Sequence, residues 1–257
     1  EGSELIISQH GGNIGSAFLA HYEDHQVNIS DTYLSWGWNS ANVKNIVPMP
    51  ASKLVNINDK INANKNGKIK WILVEERRYM NHSFSLPFSS NVLNYIDNQK
   101  LLFKNLSNDV KHNLKTRYPH AEWGWSIKNR LVDIGVDSSS SNEEYYNSLN
   151  NSKLVICTYN ATTFLETMSA NIPTIIFWNP KFNRLRKEAK PFFDLLHKNE
   201  ILFYDPVKCA EKINSIHLNA SEWWNSVEIQ TVVNTYLNKF ASKDNNWLNQ
   251  WATFLNK

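Results

Sequence analysis

Short apolar runs that alternate with helix-like segments are the sequence feature that most constrains this fold. A run at residues 5–7 stops at a glycine-rich turn over residues 8–15, and residues 16–25 then carry apolar side chains at helical spacing. Further short runs follow at residues 29–36 and 44–47. Strand, helix and strand within about 40 residues are typical of a βαβ unit, so the sequence predicts a parallel sheet.

The same alternation returns after a polar segment, residues 56–67, which is the best candidate for a linker. A long helical pattern covers residues 92–114, a second helix is predicted over residues 158–169, and helices dominate from about residue 206 onwards. Short buried runs predict strands at residues 68–74, 131–134, 154–157, 173–178 and 201–203. We therefore predict an α/β fold with a doubly wound parallel sheet and part of a second Rossmann-like unit.

The composition excludes several classes of protein. With 10 Trp, 10 Tyr and 12 Phe in 257 residues, the chain carries too much apolar mass to be disordered. A net charge of only +3 and the lack of a Lys/Arg run argue against a nucleic-acid partner. No apolar run approaches about 20 residues, so no membrane span is expected. Cys157 and Cys209 have neither CxxC nor zinc-ligand spacing, which favours a reducing, cytoplasmic compartment.

The strongest chemical motif lies just after a buried apolar run. Thr158, Asn160, Thr162 and Thr163 form a hydroxyl- and amide-rich turn that opens a helix. A helix N-terminus leaves backbone N–H groups unpaired and carries partial positive charge, so this turn can hold a phosphate. Glu166, one turn later, can accept hydrogen bonds from a ribose. Simple side-chain capping of the helix explains the same pattern and is the alternative interpretation.

The glycine-rich turn holds a second candidate group. His10 follows a strand end, between Gln9 and the pair Gly11 and Gly12. Strand carboxyl ends line the ligand crevice in open α/β sheets, and glycines let a substrate approach the backbone. His10 can therefore act as a general base on an acceptor hydroxyl, or as a donor to a sugar or phosphate. A polar cap on a tight turn is the alternative.

Two carboxylates, Glu23 and Asp24, follow in the predicted helix. One of them can be a general base, or the nucleophile if the reaction retains configuration by double displacement. A solvated helix end explains them equally well. His21 and His25 have i,i+4 spacing, but the HExxH order is absent, so no metal is expected.

Arg78 and Arg117 are candidate ligands for a donor phosphate, because Arg near a strand end can bind phosphate through two hydrogen bonds. The alternative is that both are solvated, or paired with Glu75 or Glu76. The loop around Trp123 and Trp125 offers aromatic rings that can stack on a base or sugar.

Taken together, these motifs resemble the GT-B glycosyltransferases. Residues 158–166, followed by residues 170–175, are similar to the donor-binding region of those enzymes. The turn at residues 9–15, with residues 23–25 and the Trp-Gly-Trp at residues 36–38, resembles a bacterial family of surface-carbohydrate transferases. More distantly, the set is similar to retaining β-Kdo transferases and to CDP-glycerol glycerophosphotransferases.

The resemblance implies a glycosyltransferase that moves a sugar from a nucleotide-sugar donor, CMP-Kdo being one option, to a surface-polysaccharide acceptor. The acceptor is then a glycan or glycolipid, no metal or other cofactor is needed, and the enzyme is cytoplasmic with peripheral contact at the inner face of the membrane. By the same resemblance, the turn after Thr158 holds the donor phosphates and Glu166 holds the ribose. His10, Glu23 and Asp24 are then the catalytic candidates.

The resemblance also implies a domain plan. Residues 1–55 correspond to the C-terminal part of an acceptor-side Rossmann-like domain, residues 56–67 to a linker, residues 68–220 to the donor domain and residues 221–257 to C-terminal crossover helices. Because a full GT-B enzyme has a larger N-terminal half, we expect this chain to be part of a longer protein. Two alternatives stay open: a non-catalytic nucleotide- or sugar-binding module, and a phosphotransferase of the glycerophosphate type.

Overall fold

The computed structural model describes residues 2–79, 85–119, 121–137 and 144–256. In these ranges the chain forms two parallel sheets with helices packed against them, and the predicted α/β class is confirmed. No helix in the described part of the chain combines the length and the apolar character needed to cross a bilayer.

The first sheet has three parallel strands in the order β1-β2-β3. Its strands are β1 (Ile6–Ser8), β2 (Thr32–Ser35) and β3 (Ile46–Pro48), and helix α1 (His21–Ile29) connects the first two. This is the βαβ unit that the apolar runs predict. Tyr33 of the central strand is fully buried and lies between Ile7 and Ile46 in the register of the sheet.

The second sheet has five parallel strands in the order β5-β4-β6-β7-β8. Its inner strands are almost continuously buried, as expected where helices cover both faces. The edge strand β5 alternates between buried and half-buried residues. The bounds are β4 (Lys68–Ile72), β5 (Leu114–Arg117), β6 (Ser152–Cys157), β7 (Thr174–Phe177) and β8 (Leu202–Phe203).

Helices connect these strands and form the C-terminal part of the chain. Several begin with a side-chain cap: Asp205, for example, accepts the backbone N–H groups of Val207 and Lys208. In the described ranges, the helices after α1 are α2 (Asn91–Asn105), α3 (Asn108–Asn113), α4 (Ile127–Val132), α5 (Tyr145–Asn150), α6 (Thr162–Ser169), α7 (Lys190–Lys198), α8 (Pro206–Ile216), α9 (Ala220–Trp224), α10 (Val227–Phe240) and α11 (Trp247–Leu255).

The side chains of the five-stranded sheet alternate between two apolar cores. On one face, Ile69 and Trp71 of β4 pack with residues of α2 and α8. On the other face, Ile72, Val155 and Cys157 belong to a core that includes residues of α6, α7 and α10. The sheet is therefore covered on both sides, which is the doubly wound arrangement predicted from the sequence.

The second of these cores also contains the apolar side chains of the first sheet. Tyr33 and Trp36, on β2 and just after it, belong to the same cluster as Phe164 and Leu165 of α6. The two sheets therefore share one continuous core, and the predicted domain boundaries stay predictions.

Residues 56–67, predicted to be a linker, connect the two sheets but are not a loosely packed segment. A 3₁₀ turn covers Ile57–Asp59, and the side chains of Ile57 and Ile61 are both fully buried. Asn62 also donates its backbone N–H to the Asn150 side chain at 2.8 Å. Isolated apolar residues within a polar run give little sign of such burial, which depends on tertiary packing.

Two predicted elements after β4 differ from the structure. Residues 131–134 are not a strand, because Leu131 is buried within α4. A short buried apolar run fits a helix as well as a strand, so periodicity alone does not distinguish them. The helix predicted over residues 92–114 divides at Leu106 into α2 and α3, and its last residue begins β5.

The helix predicted at residues 16–25 begins later, at His21. Ahead of it, Ala17 forms an isolated antiparallel bridge with Leu185. Phe18 is exposed, with the Arg184 guanidinium 4.1 Å from the centre of its ring. Of the apolar residues that suggested a helix face, Phe18 and Leu19 therefore belong to a non-helical segment that packs on the chain after β7, and Tyr22 lies in α1.

Candidate functional site

The turn after β1 is held in place by Gln9. Its Oε1 accepts the backbone N–H of Trp36 at 2.9 Å and the indole N–H of Trp38 at 2.8 Å, and its Nε2 donates to the Gly11 carbonyl at 2.8 Å. Gln9 is 3% exposed, whereas His10 is exposed. Gln9 therefore shapes the predicted ligand loop from within the fold and leaves His10 on its surface.

Gly12 fixes this turn against the start of α6. Its backbone N–H donates to the Thr162 hydroxyl at 3.0 Å. A Cβ atom at Gly12 would lie 2.7 Å from the Cα of Thr162 and 2.8 Å from the Ala161 carbonyl oxygen, so only glycine permits this approach. The structure thus brings together the two motifs that the sequence marked as ligand-binding, although about 150 residues separate them.

Side-chain capping does not explain the motif at the start of α6. The N-cap residue is Ala161, which has no side-chain acceptor, and the Thr162 hydroxyl is engaged with Gly12. Glu166 is the fifth residue of the helix, too far along for a capping box. The first backbone N–H groups of α6 therefore have no capping side chain and keep the partial positive charge of a helix N-terminus.

Like Thr162, the other two threonines predicted to bind phosphate have hydroxyls that are engaged within the fold. The Thr158 hydroxyl is fully buried, donates to the Ile72 carbonyl at 2.8 Å and lies 2.7 Å from the Tyr95 hydroxyl. The Thr163 hydroxyl lies 3.2 Å from that of Tyr159. Thr158 thus connects β6 with β4, and these contacts give it a structural role.

A cavity of about 300 Å³ lies where the glycine turn, α1, the end of β4 and the start of α6 meet. Asn160 is fully buried in its wall, and its Nδ2 donates to the Ser16 hydroxyl at 3.2 Å. Its Oδ1 has no hydrogen-bond partner among the described residues. The cavity is lined by His10, Asn13, Ile14, Ala20, Tyr22, Glu23, Val74, Glu76, Leu86, Tyr159, Asn160 and Ala161.

Arg186 holds the two carboxylates of α1. Its Nη1 lies 2.7 Å from Glu23 Oε1, its Nη2 donates to Asp24 Oδ1 at 2.9 Å, and its Nε donates to the Ala17 carbonyl at 3.0 Å. Glu23 also accepts the Gly15 N–H at 2.7 Å and is 1% exposed. Burial raises the pKa of Glu23, against the lowering effect of Arg186.

Asp24 differs from Glu23 in its surroundings. Its carboxylate is mostly exposed and pairs with Arg186 only at one oxygen. Among the described residues that line the cavity, Asp24 is absent. The structure therefore places only one of the two predicted carboxylates at the cavity, and that one is already ion-paired.

A second pair of adjacent carboxylates follows β4. Glu75 accepts the backbone N–H groups of Trp123 at 3.2 Å and Trp125 at 2.9 Å, which fixes the Trp-Gly-Trp loop. Glu76 is half-buried and lines the cavity. Burial raises the pKa of Glu76, while the charge of Arg77 lowers it.

Glu166 lies on the other side of α6. It accepts a hydrogen bond from the Tyr145 hydroxyl at 2.6 Å, lies 3.5 Å from the Tyr146 hydroxyl, and forms an ion pair with Lys53 at 3.1 Å. The carboxylate is 2% exposed and does not line the cavity described here. Its predicted contact with a ribose stays a prediction, and its present contacts tie α6 to α5 and to Lys53.

The two predicted phosphate-binding arginines lie away from the cavity that contains His10. Arg78 donates to the Gly124 carbonyl at 3.2 Å, and its guanidinium lies 5.3 Å from the ring of Trp125. Arg117 lies 5.1 Å from the ring of Tyr145 and lines a separate basic cavity of about 460 Å³ on the β4–β5 side of the sheet. The described residues contain no group of three or more potential metal ligands.

Sequence reasoning missed two charged residues of this region. Glu76 lies four residues after the end of β4, and Arg186 lies in the segment between β7 and α7, so both belong to connections that leave the carboxyl ends of parallel strands. The rule that marked His10 applies to both of them, because strand carboxyl ends line the crevice of such folds. From the sequence, Glu76 is predicted only as a partner for arginine.

Comparison with known proteins gives one family match. The family model described as "LIC12162 family transferase" matches residues 1–255. No curated protein matches the chain significantly. Among solved structures, the chain is similar to the wall teichoic acid polymerase TagF in a His-to-Ala variant, with 13% identity and a TM-score of 0.44, covering 97% of this chain.

A His-to-Asn variant of TagF, whose structure is described as containing CDPG after a soak, shows a comparable level of similarity. It has 14% identity and a TM-score of 0.46, and the match covers 99% of this chain. The chain spans 66% of the length of each of these two TagF chains, which is just under two thirds.

Proposed function

We propose that this chain, which belongs to the LIC12162 family of transferases, transfers a sugar from a nucleotide-linked donor to a glycan acceptor of the cell surface. The donor phosphate binds at the cavity between the glycine turn and the start of α6. The nucleotide and the sugar are to be identified by experiment, with CMP-Kdo as the first candidate.

The observation that carries this proposal is the hydrogen bond from Gly12 N–H to the Thr162 hydroxyl at 3.0 Å. It holds His10 and the uncapped N-terminus of α6 around one cavity. A helix N-terminus offers backbone N–H groups and partial positive charge to an anion, which suits the phosphate of a nucleotide sugar. The unpartnered Oδ1 of Asn160 adds a buried acceptor for a donor hydroxyl.

The size of the cavity restricts which part of a donor it holds. At about 300 Å³ it lies at the lower end of the range of ligand pockets. We assign it the sugar and the phosphate attached to it, while the nucleoside lies outside. The reaction is substitution at the anomeric carbon: the acceptor oxygen bonds to that carbon, the bond to the phosphate oxygen breaks, and the electron pair leaves with the phosphate. The N–H groups of α6 stabilise the departing charge.

A nucleotide screen tests the donor site. Thermal unfolding with CMP, CDP, UDP, GDP and ADP should show one preferred nucleotide. At a concentration of about 100 times its Kd, the nucleotide should stabilise the protein by roughly 2.7 kcal/mol, which is on the order of 5–10 °C in Tm. Titration calorimetry then gives the affinity for the preferred nucleotide.

The matched variants are Thr162→Val and Thr231→Val. Thr162→Val removes the hydroxyl that accepts the Gly12 N–H, so we expect nucleotide affinity to fall by about tenfold. Thr231 lies exposed on α10, and its replacement should leave affinity unchanged. The assignment of the donor site is contradicted if Thr162→Val binds nucleotide with wild-type affinity, or if the wild-type protein binds none of the five nucleotides.

Donor consumption tests the transferred group. Release of nucleotide from CMP-Kdo or a UDP-sugar supports a sugar transferase. Release from CDP-glycerol alone indicates a phosphotransferase of the glycerophosphate type. A protein that binds nucleotide but consumes no donor is a non-catalytic binding module.

A further inference from the structure

We infer that Glu76 is the base that takes the proton from the attacking hydroxyl, and that His10 donates a hydrogen bond to the phosphate or sugar of the donor. This inference rests on the proposed function, since it assigns roles within the same cavity. Glu76 is a catalytic residue in the strict sense, because it contacts the acceptor hydroxyl.

The first argument is the convergence of three elements. His10 comes from the turn after β1, Glu76 from the segment after β4, and Ala161 from the start of α6, and all three line one cavity of about 300 Å³. A donor phosphate at the start of α6 therefore shares the cavity with the imidazole and the carboxylate. The reaction needs such convergence, because the base must be within hydrogen-bond reach of the attacking hydroxyl while that hydroxyl approaches the anomeric carbon.

The second argument is that the other carboxylate of the cavity is already used. Glu23 is 1% exposed, one of its oxygens lies 2.7 Å from Arg186 Nη1, and the other accepts the Gly15 N–H at 2.7 Å. A carboxylate with both oxygens engaged is a poor proton acceptor for a substrate. In the part of the chain that the structure describes, Glu76 has no hydrogen-bond donor and no ion-pair partner.

The third argument comes from the neighbouring residue. Glu75 and Glu76 are adjacent, and Glu75 directs its Oε1 to the backbone N–H groups of Trp123 and Trp125. One carboxylate of the pair holds the loop, while the other is half-buried at the cavity. The loop contact therefore fixes the backbone from which Glu76 reaches the cavity.

The proposed step is balanced without a co-reactant. The acceptor O–H bond breaks and its proton moves to the Glu76 carboxylate, while the acceptor oxygen forms a bond to the anomeric carbon. The bond from that carbon to the phosphate oxygen breaks, and the electron pair stays on the phosphate. Glu76 then releases the proton to solvent.

The surroundings of Glu76 strengthen its carboxylate as a base. Burial in the cavity wall raises its pKa above the ordinary value for Glu, which makes the carboxylate a stronger proton acceptor, and Arg77 opposes this shift. Because the ionised form is the active one, turnover should rise with pH through this raised pKa. The titratable or charged groups beside it are His10, Tyr22, Glu23, Arg77 and Tyr159.

The experiment compares Glu76→Gln and Glu76→Asp with wild type and with the exposed control Glu211→Gln. Nucleotide release from CMP-Kdo, UDP-glucose and CDP-glycerol is measured with water as the acceptor, because hydrolysis needs the same proton transfer. We expect Glu76→Gln to release nucleotide about 100-fold more slowly or worse. Its affinity for the preferred nucleotide should stay within about twofold, and Glu76→Asp should retain intermediate activity.

The pH profile gives a second readout. The wild-type rate should fall as Glu76 becomes protonated at low pH, and this limb should be absent from the residual rate of Glu76→Gln. If Glu76→Gln does not fold by circular dichroism, Glu76→Asp and the wild-type profile decide the question. The inference is overturned by a Glu76→Gln rate within threefold of wild type, or by a loss of nucleotide affinity that matches the loss of rate.

Failure of the inference is distinguishable from failure of the proposed function. A wild-type protein that binds none of the nucleotides overturns both. A wild-type protein that binds nucleotide but consumes none of the three donors overturns the proposed transfer and the base assignment, and leaves only the donor site standing. A Glu76→Gln rate within threefold of an active wild type overturns the base assignment alone.

Discussion

Two pairs of adjacent carboxylates each place one member at the cavity, and the contacts of the two pairs differ. In α1, Glu23 is buried against Arg186 and the Gly15 N–H, while Asp24 points to solvent and shares the same arginine. After β4, Glu75 is bound to two backbone N–H groups, while Glu76 lines the cavity. Each pair contributes one structural carboxylate.

The difference lies in the second carboxylate of each pair. Arg186 pairs with both Glu23 and Asp24, and its single positive charge compensates one of the two negative charges, so this pair supports the fold around the cavity. The pair after β4 contacts backbone N–H groups through Glu75 only, and Glu76 lines the cavity. Two acidic dipeptides that look alike in sequence therefore differ in their contacts because of groups far away along the chain, as with Arg186, 162 residues from Asp24.

The largest expected change in stability comes from removing Arg186, the partner of the first pair. Arg186→Ala leaves the Glu23 carboxylate buried without its counter-charge, so we expect a loss of about 3–5 kcal/mol in the free energy of unfolding. Urea unfolding measures this loss. Replacing Lys190, whose pair with Asp194 lies on the surface of α7, should cost less than about 0.5 kcal/mol.

A double variant sharpens this result. Adding Glu23→Gln to Arg186→Ala removes the unpaired charge and should recover part of the stability, which a double-mutant cycle quantifies. A loss below about 1 kcal/mol for Arg186→Ala alone would show that the ion pair does not stabilise the fold as we argue.

An intermediate effect is expected at the second pair. Glu75→Ala removes the acceptor for the N–H groups of Trp123 and Trp125, so the free energy of unfolding should fall by about 2 kcal/mol. Glu75→Gln keeps an acceptor oxygen and should cost less. Tryptophan fluorescence during urea unfolding is the measurement. Equal destabilisation by Glu76→Ala would remove the distinction between the two neighbours.

The smallest effect is expected at Asp24. Its ion pair with Arg186 is mostly exposed, so Asp24→Asn should change the free energy of unfolding by less than about 1 kcal/mol. Thermal unfolding checks this value, and nucleotide release checks the catalytic role that the sequence suggests for Asp24. A tenfold or greater fall in turnover in a stable Asp24→Asn protein would restore that role and weaken the contrast between the pairs.

Much of the fold could be predicted from the sequence, because parallel strands that helices cover on both faces appear as short apolar runs. The runs that became β4, β6 and β7 are of this kind, and the resemblance to a transferase family is confirmed by the match over residues 1–255. The prediction of a strand at residues 131–134 was wrong, since burial without a period does not distinguish a strand from a short helix.

The site could be predicted only where topology alone determines position. His10 and the turn before Thr162 both follow strand ends, so a parallel fold brings them to the same edge. The contacts of Glu166 could not be read in this way, because Tyr145 and Lys53 reach it through tertiary packing. Sequence patterns indicate which residues lie at the edge of the sheet, but they indicate much less about which partners form hydrogen bonds with those residues.

The apolar core shared by the two sheets has a consequence for how a ligand enters. Residues of β2, α6 and α10 pack into one cluster, so the walls of the cavity are joined through the interior of the protein. A rigid-body closure of one sheet onto the other would have to break that interior. We therefore expect a preorganised binding site. The entropy cost of ordering its walls is incurred during folding, so it does not reduce the affinity for a ligand.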